Sequence, residues 1–266
     1  MARFVVVPQW QGSPATRAML LASGAEAIAG DLPRSACTVL DVPVEAGEPL
    51  ESGIRRYSSL RRVRDELTEA LRDNPAIVVG GDCGVAVAAV SDAARRHPAT
   101  AVLWFDAHGG LHSAASSSSG AFGGMALRAV TGDGPLAAEH PVPPERIVLA
   151  GARSLDAAEE QFAADTGLRL VPAEADADTL VAAVRATGAD AVFVHVDVDV
   201  LDPAEIAGVT DSVPFGMTVA QLTAAIAQVR AQLPLVGASL CGFAPATAQV
   251  AVDDLGALLR IVAALA

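Results

Sequence analysis

The sequence contains no lysine. Every cationic side chain is an arginine, and the 18 arginines face 31 aspartates and glutamates, for a formal charge of −13. A chain this acidic is not expected to bind nucleic acid or an anionic membrane. Cysteine is scarce: Cys37, Cys83 and Cys241 are far apart and odd in number. No disulfide framework is expected from them, and a reduced, cytoplasmic setting is. Long apolar runs are missing as well. The run Phe4-Val5-Val6-Val7 stops at Pro8, too short for the core of a signal peptide, and no segment is apolar for long enough to span a bilayer. Linker-like stretches and internal repeats are also absent, so residues 1–266 read as a single domain. Hydrophobic residues make up 52% of the chain, which excludes disorder as its main state and allows a large core.

What is present is an alternation. Short apolar runs at residues 4–7, 37–40, 76–79, 101–105, 146–150, 168–171, 191–198 and 235–240 predict strands. Helix-like segments lie between them at 52–72, 86–96, 155–164, 178–187, 219–233 and 252–265, the first with Arg62 and Glu66 at helical spacing. About eight buried strands with intervening helices imply an α/β fold whose mostly parallel sheet is covered on both faces. Right-handed crossovers then collect the strand C-termini on one edge, where such sheets bind ligands.

Polar groups cluster where those strands end. One strand runs into Gly80-Gly81-Asp82-Cys83-Gly84, a second into Asp106-Ala107-His108, and a third into Asp197-Val198-Asp199. Asp106 and His108 are two apart and share a face on an extended backbone, as do Asp197 and Asp199. Two carboxylates side by side at a buried strand end repel unless a cation compensates, so a divalent metal on Asp106, His108, Asp197 and Asp199 is favoured over solvated loop acids. The serine-rich stretch 113–124 starts beside this site and reads as a pocket rim.

These stretches, together with Val148-Leu149-Ala150-Gly151-Ala152-Arg153, Asp197-Val198-Asp199-Val200-Leu201-Asp202-Pro203, Gly216-Met217-Thr218 and Phe243-Ala244-Pro245, resemble the ureohydrolase family of arginase and agmatinase. The resemblance spans nearly the whole chain. It implies a three-layer α/β/α sandwich with an eight-stranded sheet, a small-molecule substrate, and two manganese ions whose shared hydroxide attacks a guanidinium carbon. It also allows a homo-oligomer. By this resemblance Asp106, His108, Asp197 and Asp199 match the ligands of one metal. The other metal's ligand positions hold Cys83 in place of a His and Gly110 in place of an Asp. Gly123 stands where arginases carry a proton-transfer His, and Gly242 where the family has a guanidinium-binding Glu. His112 falls near the expected substrate carboxylate, and Ser119 matches a substrate-contacting Ser.

Several readings stay open at this point. Cys83 is either a thiolate ligand, which would favour zinc or iron over manganese, or a small thiol packed beneath the site. His112 is a new acid/base group, an extra ligand, or a loop histidine without a role. His195 reads as a core histidine, Asp82 and Asp202 as turn-holding acids, and Arg153 as a brace under the site. The expected protein is therefore a divergent member of the fold with one divalent ion (manganese, zinc or iron) and a second ion in doubt. It would hydrolyse a linear C–N bond of an amidine, amide, ureido or modified guanidine such as N-hydroxyarginine, rather than arginine itself. The rival expectation is a non-catalytic protein of the same fold.

Overall fold

A computed structural model describes residues 2–72 and 74–266. Eight strands form one sheet: β1 (Phe4–Val7), β2 (Cys37–Val39), β3 (Ile77–Gly80), β4 (Thr100–Phe105), β5 (Ile147–Ala150), β6 (Arg169–Val171), β7 (Ala191–Asp197) and β8 (Leu235–Cys241). Their spatial order is β2-β1-β3-β8-β7-β4-β5-β6, and every pairing is parallel. Each predicted strand is present. The inner strands were legible because strands buried on both faces are continuous apolar runs, whereas the edge strands β2 and β6 are partly exposed.

Alternate residues of the inner strands feed two separate cores. Phe4 and Val6 join one cluster, and Val5 and Val7 the other; Leu103 and Phe105 oppose Val102 and Trp104 in the same way. Helices α1 (Leu20–Asp31), α6 (Ala177–Arg185), α7 (Val219–Gln232) and α8 (Ala248–Leu265) cover the first core. Helices α2 (Tyr57–Leu71), α3 (Ala86–Arg96), α4 (Ala126–Val130) and α5 (Ala157–Thr166) cover the second. The result is the three-layer α/β/α sandwich. Among the described residues no helix is long and apolar enough to cross a membrane.

Three differences from the sequence reading have physical causes. Helix α1 carried no start signal, since the residue before it, Met19, makes no side-chain cap. Helix α4 has only five residues and follows a 3-10 turn, too short for a periodic pattern. Helix α2 starts at Tyr57 rather than near residue 52, because Leu50, Glu51 and Arg56 take positive φ. The Arg62–Glu66 pair does form on α2, at 2.9 Å.

Candidate functional site

The C-terminal ends of β3, β8, β7 and β4 are neighbours in the sheet, and a cavity of about 400 Å³ opens above them. Its acidic lining consists of Asp82, Asp106, Asp156, Glu159, Asp197, Asp199 and Asp211. His108 and His112 are its basic groups, and among the described residues no arginine lines it.

Asp106 leaves the end of β4 buried. One carboxylate oxygen accepts the Trp104 indole N–H at 3.1 Å and the other the backbone N–H of His108 at 2.8 Å. A parallel bridge between His108 and Ser154 extends the β4–β5 pairing and fixes the backbone here. His108 Nδ1 lies 2.9 Å from Asp199 Oδ2 and 3.5 Å from Asp106 Oδ1. Asp199 also accepts the Ala107 N–H at 3.0 Å, and its own N–H donates to Asp197 Oδ1 at 3.0 Å. The other oxygen of Asp197 accepts the Cys83 thiol at 2.7 Å. Side-chain donor atoms of Asp106, His108 and Asp199 lie within 4.8 Å of one another.

The electrostatics follow from this crowding. Burial raises the Asp197 carboxyl well above its usual range, and the charges of Asp199 and Asp106 raise it further. Asp199 rises through burial and the charge of Asp106, against the His108 hydrogen bond. Burial alone would lower the His108 pKa, but hydrogen bonds and charge from Asp106 and Asp199 push it up to about 12. For Asp106 the penalty of burial is outweighed by His108, and its pKa falls. The imidazolium is thus the local counter-cation of Asp106 and Asp199, a role that a metal ion can also fill.

Cys83 is held rather than free. His195 Nε2 lies 3.2 Å from its sulfur, and burial, the neighbouring Cys241 and the charge of Asp197 raise its pKa well above the normal thiol range. His195 itself is fully buried, with Nδ1 2.7 Å from Ser239 Oγ and its ring 3.7 Å from that of Trp104. Cys83, Asp106 and His195 also form a cluster of possible ligands, but both nitrogens of His195 are already engaged. Asp82 holds its turn by accepting from Gln9 Nε2 and from the N–H groups of Gly12 and Gly84. Arg153 braces the floor, donating to the carbonyls of Asp199, Val213 and Pro214.

The glycines mark where the site is bare. Gly110 has φ +63° and Gly242 φ +91°, conformations that side chains rarely adopt. A Cβ at Gly242 would overlap Asp197 Oδ1. Both absences are therefore built into the backbone. A Cβ at Gly123 would lie 3.1 Å from the Gly12 carbonyl oxygen, and one at Gly124 3.8 Å from the His112 ring.

His112 lines the cavity. Its Nδ1 is 3.2 Å from Ser116 Oγ, and its Nε2 is 3.4 Å from Asp156 Oδ2 and 3.9 Å from Glu159 Oε1. Ser119 is not among the lining residues; its hydroxyl accepts the Ala121 N–H within its own loop. Asp156, Glu159 and Asp211 escaped the sequence reading. The first two carried a signal, since an acid at the cap followed three residues later by Glu is a capping box, and both of its hydrogen bonds form at the start of α5. Asp211 sits in an irregular loop and carried none.

A family model described as the arginase family matches residues 13–264. An N(omega)-hydroxy-L-arginine amidinohydrolase from Streptomyces lavendulae is 34% identical over 209 residues, covering 77% of this chain and 74% of that protein. An arginase from Staphylococcus aureus is 31% identical over 195 residues, covering 66% of this chain and 64% of that protein, just under two thirds of its length. Among solved structures, Entamoeba histolytica arginase in complex with L-ornithine superposes with a TM-score of 0.86 at 20% identity, covering 99% of this chain and 97% of the other. Arginase from Bacillus caldovelox gives 0.82 at 24% identity over 100% and 98% of the two chains.

Proposed function

The chain belongs to the arginase family, and from that premise we propose a metal-dependent hydrolase of a linear C–N bond that uses one divalent ion. Asp106, His108, Asp197 and Asp199 would hold the ion. Supporting this is the convergence of the first, second and fourth of these on one point, with Asp197 hydrogen-bonded to the Asp199 backbone. Carboxylate oxygens with one imidazole nitrogen suit manganese, zinc or iron(II). A divalent ion there supplies Lewis-acid chemistry, polarising substrate and lowering the pKa of water. A second ion is poorly provided for. The Cys83 thiol donates a hydrogen bond to Asp197, and Gly110 brings no side chain.

The chain's own residues would do the rest. Asp156 orients the His112 imidazole at the cavity wall, where it can hold or pass a proton as acid/base group. Ser119 takes a substrate-contacting role only if its loop moves. A modified guanidine such as N-hydroxyarginine is the preferred substrate class, supported by the name of the Streptomyces relative. The second reading is a non-catalytic member of the family. The positive φ of Gly110 and Gly242 favours it, because the absences there are fixed in the backbone.

Metal analysis of protein purified without chelator tests the first reading. About one equivalent of manganese, zinc or iron is expected, and Asp197→Ala should abolish retention. No bound metal in the wild-type protein sinks this function. Release of ornithine from N-hydroxy-L-arginine by the loaded protein then separates the hydrolase from the non-catalytic reading.

A further inference from the structure

Asp211 differs from every other carboxylate in the cavity. The other six each accept a hydrogen bond from a backbone or side-chain donor: Asp82 from Gly12 N–H, Asp106 from Trp104, Asp156 from Ala158 N–H, Glu159 from Leu111 N–H, Asp197 from Cys83 and Asp199 from Ala107 N–H. Among the described residues Asp211 accepts none from the backbone or from any side chain other than His108. Its close neighbour is His108 Nε2, 3.3 Å from Oδ2, and its side chain is 74% exposed.

The loop that carries it is nonetheless fastened at both ends. Asp254 accepts the N–H groups of Ala207 and Gly208 before it. After it, Asp202 Oδ2 accepts those of Phe215 and Gly216 at 2.8 and 3.1 Å, while Arg153 donates to the carbonyls of Val213 and Pro214. Phe215 is held at φ +66°, a conformation costly for a bulky residue, so these clamps impose the loop's course. An exposed carboxylate whose close partner among the described residues is His108 Nε2 is thus presented over the His108 edge of the site. Gly242, lining the same cavity, cannot contribute one, because the Asp197 carboxylate occupies the space a Cβ would need.

We propose that Asp211 is the substrate-binding carboxylate of this enzyme, accepting hydrogen bonds from a cationic guanidinium or amidinium and holding it over the Asp106–His108–Asp199 cluster. The proposal rests on the metal-dependent hydrolase reading. A planar cation with paired N–H donors matches an exposed carboxylate in a bidentate, charge-assisted contact, whereas a neutral ureido group meets it only as an ordinary donor.

The test is equilibrium binding to the metal-loaded protein by calorimetry, with L-arginine and agmatine as cationic probes and L-citrulline as the neutral one. Asp211→Asn should weaken the cationic probes about tenfold and citrulline by less than about twofold. Asp211→Glu should recover most of the loss. Metal content and thermal midpoint should not change, since the side chain is exposed. Equal losses for both probe types, unchanged binding in Asp211→Asn, or no binding of a cationic probe to the wild type would each overturn the proposal. So would loss of metal in Asp211→Asn, which would mean that Asp211 acts through His108. Metal content is read on the same samples, so wild-type protein without metal is recognised as failure of the hydrolase reading itself.

Discussion

His195 shows how far burial can move a single group. It sits beneath the site with no exposure, and desolvation lowers its pKa to about 3, although the charge of Asp106 works the other way. The unfolded chain takes up a proton near pH 6.5, whereas the folded protein refuses it until about pH 3. Between these values the unfolded state binds more protons, so this residue's contribution falls with pH by about 1.4 kcal/mol per unit. Asp82 opposes it over part of that range. Burial raises its pKa to about 6, against the pull of its hydrogen bonds, so the folded state keeps a proton that the unfolded state has lost above pH 3.8. The two are separated by comparing the wild type with His195→Asn in urea between pH 7 and 4. The wild type should lose stability with acid more steeply than the variant. A His195 ring resonance that titrates near pH 6.5 in the folded protein would contradict the assignment.

At the scale of elements, α5 ties helix formation to the site. Asp156 caps the helix by accepting the N–H groups of Ala158 and Glu159, and Glu159 returns the bond to the Asp156 N–H. The same acid points its second oxygen at His112. Asp156→Ala should cost about 1 kcal/mol of stability, read as a lower denaturation midpoint. Asp156→Ser should restore most of that, since serine also caps, while leaving His112 without its carboxylate. If His112 passes protons in the reaction, the pH profile of turnover should shift in both variants. A profile that follows stability alone would remove His112 from the chemistry.

For the whole molecule, the sheet order makes a single site out of distant segments. Cys83 lies 114 positions before Asp197, and Ala107 lies 92 before Asp199, yet Cys83 touches Asp197 and Ala107 touches Asp199. An ion bound there joins strand ends of the folded state and has no comparable site in the unfolded chain. At a hundredfold excess over Kd it should add about 2.7 kcal/mol of stability. Adding manganese or zinc to metal-stripped protein should therefore raise the thermal midpoint by roughly 5 °C or more. Asp197→Ala should show no such shift. An unchanged midpoint in the wild type would mean that the acidic cluster holds no ion.

The sequence by itself determined the strands and the acids at their ends. Apolar runs such as Val5-Val6-Val7 and Val192-Phe193-Val194 declare burial on both faces, and the Asp106/His108 and Asp197/Asp199 spacings are local facts of an extended chain. Helix α1 stayed hidden because its start carries no cap, a feature that packing against the sheet makes unnecessary. Only the tertiary structure decided which strand ends meet. Crossovers set that, and they bring together residues no local pattern relates: Cys83 between His195 and Asp197, His112 against Asp156, and Asp211 over His108. It also decided what the glycines mean. From the sequence Gly242 reads as a lost side chain, whereas in the fold its φ of +91° and the Asp197 carboxylate leave no room for one.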